Sequence, residues 1–190
     1  MRIDNAPELV KAATTVGWAI DTSTPYKHEA NAIVERGIGV CREGMRTLLY
    51  HAGLPADLWP LAGEYYCNAR NFSVKNDGNS PYHKLNKRPF AGNVIPFGSL
   101  VHFLPPKAWC TRNKWPSGFP KAIPGLFLGW QMNAKVKWAR DYLVVALRHA
   151  EAALQSKCAV RRLDLCRVSS ITGDNDQGYV FPFRAAADIR

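Results

Sequence analysis

Acidic side chains are scarcest where the sequence is most basic. Between residues 70 and 148 only Asp77 and Asp141 oppose 13 Lys and Arg, a local charge of +11; residues 1–69 carry 6 basic against 8 acidic groups and residues 149–190 carry 6 against 5. No stretch approaches the ~18 uninterrupted apolar residues of a membrane-spanning helix, so a membrane is not expected as a partner. Met1-Arg2-Ile3-Asp4 lacks a cationic stretch leading into an apolar run, which argues against a secretory signal and for an intracellular location. The five cysteines, Cys41, Cys67, Cys110, Cys158 and Cys166, include no CxxC pair and are odd in number, which excludes a zinc ribbon and a closed disulfide framework. They are expected to be mostly ordinary buried thiols. The histidines are scattered, so no His/Cys metal cluster is legible, and neither repeats nor low-complexity tracts occur.

What is present is a chain of 190 residues, 47% hydrophobic and 21% charged, with a net charge of +10. Nearly half the residues can build a core, so a disordered chain is excluded. A one-sided positive field attracts polyanions, and nucleic acid is the partner it suits.

The hydrophobic pattern gives elements of both kinds. Pro7-Glu8-Leu9-Val10 opens a helix with Asn5 as a candidate cap, Gly17 closes it, and Trp18–Thr22 alternates like a short strand. From Asn31 to Tyr50, Val34, Ile38, Cys41, Met45 and Leu48 recur at steps of 4, 3, 4 and 3, one face of an amphipathic helix. Gly37, Gly39 and Gly44 weaken that helix by roughly 1 kcal/mol each, so tertiary packing must hold it. A second helix is expected over residues 56–72, with Trp59, Tyr65, Tyr66 and Phe72 in the core. Asn76–Pro81 reads as a turn-rich linker. Beyond it, short apolar runs at residues 94–95, 99–104, 126–130 and 142–147 suggest a small β-barrel or sandwich, and residues 150–162 a helix.

Two acids stand out. Asp4 ends a short strand, and Glu35 lies in the first turns of the first long helix. Glu35, Gly39, Arg42 and Arg46 share a helical face, with Arg36 beside Glu35. A carboxylate followed by guanidiniums suits a surface that holds a divalent metal next to a phosphate backbone. Further along, Trp109, Trp115, Trp130 and Trp138 alternate with Lys107, Arg112, Lys114, Lys135, Lys137 and Arg140. Such interleaving fits a nucleic-acid surface, although Trp130, after Leu126-Phe127-Leu128, is expected to be buried.

These residues also carry a family likeness. Ser23-Thr24-Pro25-Tyr26, Asn31 and Ile33-Val34-Glu35-Arg36 resemble the signature around the third acid of retroviral-type integrases, in the form used by copia-type retrotransposons. Arg2–Leu9 is similar to the strand end that carries the second acid. Met45–Leu49, His51–Pro55 and Leu58-Trp59 resemble the helices that follow the core. Ser80-Pro81-Tyr82, Lys87-Arg88-Pro89, Phe97-Gly98 and Gly125–Trp130 resemble the linker and SH3-like barrel of those integrases. The resemblance implies a ribonuclease H-like core in which three carboxylates hold two Mg²⁺ ions for in-line attack at a phosphodiester. Carried over, Asp4 is the second acid and Glu35 the third, both metal ligands, while Arg36, Arg42 and Arg46 lie along DNA. Only three residues precede Asp4, and Ala6 and Ala32 stand where the family has Gly. A chain lacking the first acid is expected not to perform strand transfer alone.

The expectation is therefore an α+β protein: a partial ribonuclease H-like integrase core with helical extension (1–74), a linker (75–91), a small SH3-like β-barrel (92–150) and a tail (151–190). Its expected function is that of a truncated retrotransposon integrase fragment, nuclear if functional. It binds DNA through a basic segment that includes Lys107, Arg112, Lys114, Lys135 and Lys137, and it is open to homo-oligomerisation. The alternative is a non-catalytic nucleic-acid-binding module using residues 70–148 only; a third reading is a degenerate reading frame whose product does not accumulate.

Overall fold

A computed structural model describes residues 2–3, 6–22, 32–154, 163–173 and 178–187. The chain forms two compact units, Met1–Arg42 and Glu43–Arg190, and is α+β. In the first unit, strand β1 (Arg2–Ile3) pairs in parallel with β2 (Asp21–Thr22) across helix α1 (Pro7–Thr15). Pro7 fits the first helical turn, where its missing N–H has no partner to lose. The cap position is Ala6, which brings no side-chain hydrogen bond; Asn5, Asp4 and the run Ser23–Asn31 lie outside the described residues. The helix ends with the Trp18 N–H donating to the Ala13 carbonyl at 3.0 Å, in a turn through Gly17. The strand expected over 18–22 is confined to Asp21–Thr22.

Helix α2 (Ala32–Ala52) follows, and the division between the units falls within it. Its apolar stripe is only half used. Leu49 is buried and Met45 and Leu48 pack against the core of the second unit, whereas Val34 and Ile38 are exposed, as is Ile33 at 87%. The glycines divide the same way. A Cβ at Gly44 would overlap the Tyr66 ring, whereas one at Gly37 or Gly39 would meet open space. Gly44 is thus the position where α2 comes close to α3 (Trp59–Phe72), which a short 3₁₀ turn, Ala56–Leu58, introduces. Tyr65 and Phe72 of α3 are buried as expected; Tyr66 is half-buried and Trp59 is exposed.

The linker is ordered. Asp77 closes a turn by accepting from the Asn79 N–H, and helix α4 (Pro81–Asn86) starts where the Ser80 hydroxyl accepts from the His83 N–H at 3.1 Å. Then comes a five-stranded sheet, wholly antiparallel, built from β3 (Leu100–Phe103), β4 (Ile123–Met132), β5 (Trp138–Ala146), β6 (Leu165–Val168) and β7 (Ile171–Thr172) in the order β6-β5-β4-β3-β7. Helix α5 (Lys107–Arg112) sits between β3 and β4, and α6 (Leu147–Leu154) follows β5. The helix expected over 150–162 therefore starts earlier; residues 155–162 lie outside the described ones. The C-terminal helix α7 (Pro182–Ala187) ends a segment in which the Val180 carbonyl accepts from the Leu100 N–H at 2.8 Å and Phe181 meets His51 edge-on at 4.4 Å.

Two edge strands of this sheet are joined by only Ser169 and Ser170. Three Cα steps span at most about 11 Å, yet four inter-strand spacings in a flat sheet come to about 19 Å. The register widens the gap. Val168 lies in the row of Tyr142 and Trp130, Ile171 in the row of Phe103 and Ile123. The link is possible only if the sheet is strongly curled and its strands staggered, although β6 and β7 do not pair with each other.

The curled sheet buries both faces of its central strands. Residues Gly125–Trp130 and Tyr142–Ala146 are consecutively buried, although neighbours in a strand point to opposite sides. One irregularity sets which rings meet. The register shifts between Phe127 and Gly129, and Gly129 takes φ +147°. The extra residue turns Trp130 to the side of Phe127, so that both rings reach Tyr65, at 4.9 and 6.2 Å.

Gly129→Ala is expected to cost about 1–3 kcal/mol in chemical denaturation, from backbone strain and not from a clash, since the added Cβ would meet open space; a cost under about 0.5 kcal/mol would mean that the bulge rearranges freely. Burial pushes the Tyr65 hydroxyl, which donates to the Ile95 carbonyl at 2.8 Å, up to about 12. The folded state therefore holds its proton more tightly than the unfolded state does, near 10. Stability from this group is complete below pH ~10 and lost toward pH 12, by about 2–3 kcal/mol. Denaturation curves of Tyr65→Phe should lack that part of the alkaline decline.

Candidate nucleic-acid interface

The expected catalytic pair is represented by one member. Glu35 is exposed in the first turn of α2, and Asp4 lies outside the described residues. Glu35 offers the hard oxygen that Mg²⁺ takes, but a single carboxylate supplies only part of a coordination shell. Arg36, Arg42 and Arg46 are exposed along the same helix. Arg46 approaches Glu43 at 3.6 Å, with both side chains about 70% exposed, a pairing that fixes little.

In the second unit all 13 cations between residues 70 and 148 are exposed. The tryptophans are not. Trp109 is 2% and Trp130 1% exposed, and Trp115 and Trp138 pack against the core. The alternation of aromatic and basic residues is thus resolved into opposite directions, rings inward and cations outward, and the expectation of Trp as stacking platforms beside the cations is corrected. The physical reason is area: an indole buries more apolar surface than any other side chain, and this small sheet needs it. The Trp130 and Trp138 N–H groups donate to the Asn93 and Asp141 carbonyls, each at 3.0 Å.

The basic residues named from the sequence fall into two groups at opposite ends of β4. Lys107 and Arg112 lie on α5, with Lys114 just after it; Lys135 and Lys137 lie in the turn between β4 and β5; Lys121, not singled out by the sequence, precedes β4 at the α5 end. The ten residues of β4, at about 3.3 Å each, put the two ends roughly 30 Å apart.

At the α5 end two of the cations are engaged within the protein, while Lys107, Lys114 and Lys121 have no ion pair among the described residues. Arg112 is ion-paired with Asp164, whose other oxygen is 3.7 Å from His149 Nδ1. Arg148 lies over the rings of Trp109 and Trp115, at 5.2 and 4.8 Å from their centroids. Those two indole N–H groups are buried without an acceptor among the described residues, so packing and the cation hold the pair. Burial, reinforced by Arg148, holds the His149 imidazole below its ordinary value, with Asp164 opposing the shift. Burial likewise pushes the Cys166 thiol up to about 11, while Cys67 is exposed, against the expectation of buried thiols, and Cys158 lies outside the described residues.

At the turn end the structure adds cations that the sequence offered only as a linker or as spacing. The Asn86 side-chain amide donates to the Val136 carbonyl at 3.4 Å, and the Trp138 backbone N–H donates to the Tyr82 hydroxyl at 3.2 Å. These contacts bring Lys87 and Arg88, directly after α4, to the β4–β5 turn. Arg140 joins them from a bulge in β5, where the register shifts between the pairs Trp130–Tyr142 and Met132–Trp138. Proximity across 50 residues leaves no local signal.

Neither a protein-family model nor a curated protein matches the chain.

Because His149 is held below its ordinary value, its contribution to stability is present above pH ~6.5 and lost as pH falls below it. Asp164→Asn removes the group that favours the imidazolium, so the loss of stability between pH 7.5 and 5.5 should be larger in that variant. An unchanged loss, measured by urea denaturation at the two pH values, would separate His149 from Asp164.

Proposed function

We propose that this chain is the C-terminal part of a copia-type integrase and that it binds DNA through the basic surface of its second unit. The charge carries this most: 13 exposed cations stand against two acids in residues 70–148, and one of those acids, Asp77, is already engaged by Lys84. Lys84 is the main reason that the Asp77 carboxyl is held below its usual range. Two features of the fold support the family likeness. Parallel β1 and β2 around α1, then α2 opening near Glu35, follow the strand, helix, strand and helix order of a ribonuclease H-like core. The five-stranded antiparallel sheet, whose edge strands β6 and β7 are joined by a two-residue link without pairing, supports an SH3-like reading.

In this proposal Asp4 and Glu35 are the second and third carboxylates and ligands for Mg²⁺, which would activate a water or a DNA 3′-hydroxyl. Arg36, Arg42 and Arg46 follow the phosphate backbone. The chain binds DNA without joining it and, if functional, acts in the nucleus, as one copy or as several. A second reading, a non-catalytic nucleic-acid-binding module, is favoured by the compactness of Glu43–Arg190 as a unit that excludes Glu35.

The purified chain should bind duplex DNA with an affinity that falls steeply with salt, the log-log slope being near −0.9 per phosphate neutralised. A flat dependence removes DNA binding. Joining of labelled DNA ends in Mg²⁺ should be absent; measurable Mg²⁺-dependent joining that is lost in Glu35→Gln would establish a working site and discard the module.

A further inference from the structure

We infer that the two basic ends of the second unit are not equivalent: the end formed by α4 and the β4–β5 turn, with Lys87, Arg88, Lys135, Lys137 and Arg140, is the surface that grips the phosphodiester backbone of duplex DNA. This rests on the DNA-binding reading and deepens it by assigning the contact.

Three independent features single out that end. The first is uncompensated charge. No ion pair joins any of the five cations to an acid among the described residues, and Asp141, the one acid of the adjoining strand, is half-buried. At the other end two of five cations are engaged, Arg112 by an ion pair and Arg148 by two indoles, and Lys107, Lys114 and Lys121 are unpaired among the described residues, so the charge contrast is one of degree, and rigidity and strain decide between the ends. A cation engaged within the protein gives up that partner when it meets a phosphate, so the free group gains more.

The second feature is rigidity. Asn133 Oδ1 accepts from the backbone N–H groups of both Lys135 and Lys137, at 3.1 and 3.0 Å, and the Lys137 carbonyl accepts from the Asn133 N–H at 3.0 Å. Asn86 adds its bond to Val136 from α4. A turn fixed before binding loses little entropy on contact.

The third feature is strain. Among the described residues four other than glycine have positive φ: Lys87 at 56°, Lys114 at 49°, Val136 at 53° and Arg140 at 70°. Three of the four are at this end. Left-handed backbone costs a β-branched residue such as Val136 most of all. Strain kept where glycine or asparagine would relieve it is a mark of a functional surface. Here its effect is visible, since the left-handed turns at Lys87 and Arg140 aim two cations outward from a helix end and a bulge.

The turn is braced against α4 instead of projecting as a free ribbon. That suits contact with phosphates across a groove and not insertion among base edges, so recognition at this end is indifferent to sequence.

The test compares two triple variants of the full chain that remove equal charge, Arg88→Gln/Lys135→Gln/Lys137→Gln and Lys107→Gln/Lys114→Gln/Lys121→Gln. Anisotropy of a labelled 20-base-pair duplex is measured from 50 to 200 mM KCl. The first variant should lose up to about 2.7 from the magnitude of the salt slope, 0.9 for each cation, and the second less than about 1. Equal losses, or a larger loss in the second, overturn the assignment. A wild-type chain that does not bind the duplex overturns the underlying DNA reading instead. Binding that is tighter to single-stranded RNA of equal length, or displaced as readily by polyglutamate, overturns duplex DNA as the ligand. Should the first triple variant fail to give the wild-type circular dichroism melt, Lys135→Gln and Lys137→Gln taken singly should each lower the slope by about 0.9, and no change in either overturns the assignment.

Discussion

The indole of Trp130 lies 4.9 Å from the ring of Tyr65, 5.0 Å from Phe72, 5.3 Å from Phe127 and 5.9 Å from Phe90. Those rings come from α3, from the segment before β3 and from β4 itself, so one side chain ties a helix, a loop and the sheet. The arrangement has a specific condition. Trp130 faces the helix only because the chain takes an extra residue between Phe127 and Gly129, and its indole N–H is satisfied only because the Asn93 carbonyl lies within 3.0 Å. Removing either condition would leave a large ring on the wrong side of the sheet or a buried donor without a partner, and each is a known route to lost stability. The placement of α4 follows from the same cluster, since Tyr82 packs on Phe72 at 5.3 Å and its hydroxyl accepts from Trp138. The charged surface at the β4–β5 turn thus depends on the aromatic interior beneath it.

Interior and surface also explain why aromatic and basic residues alternate along this part of the chain. The cations lie on helices, turns and loops and, for Arg140, at a bulge of β5, and not in β3 or β4, so the alternation reflects an anchor ring beside an exposed cation. Trp138 packs on Phe90 at 5.0 Å while Lys137 beside it is exposed. Sequence alone cannot tell such a pattern from a stacking platform, because both place a ring next to a cation. Burial separates them.

Much of the helical organisation was legible. The 3.6-residue spacing located α2 and α3 within a few residues, and the turn residues near Asn76–Pro81 located the break before α4, though not α4 itself, whose six residues are too few to show periodicity. The β character beyond residue 92 was legible from short apolar runs, and the burial of Trp130 from its neighbours. The participation of residues 165–172 in the sheet was not, because β6 and β7 are short and their sequence, Leu165-Cys166-Arg167-Val168 and Ile171-Thr172, alternates over too few positions. Nor was the convergence of Lys87 and Arg88 with Lys135 and Lys137, which depends on an amide bond between residues 86 and 136. The exposure of Val34 and Ile38 went the other way: periodicity assigns a face to a helix but not the element that covers it.

The two-serine link between β6 and β7 has a consequence for the order in which the unit forms. The β4–β5 hairpin joins residues close in sequence, and its turn is held by its own asparagine, so it can form early at small entropic cost. The pairing of β3 with β7 brings residue 103 to residue 171, across the whole hairpin and α6. Contacts at such separation are made late, after most of the chain has been ordered. The β3–β7 pairing therefore carries the largest loop-closure cost in the sheet, and until it forms β3 presents an unpaired edge to any neighbour.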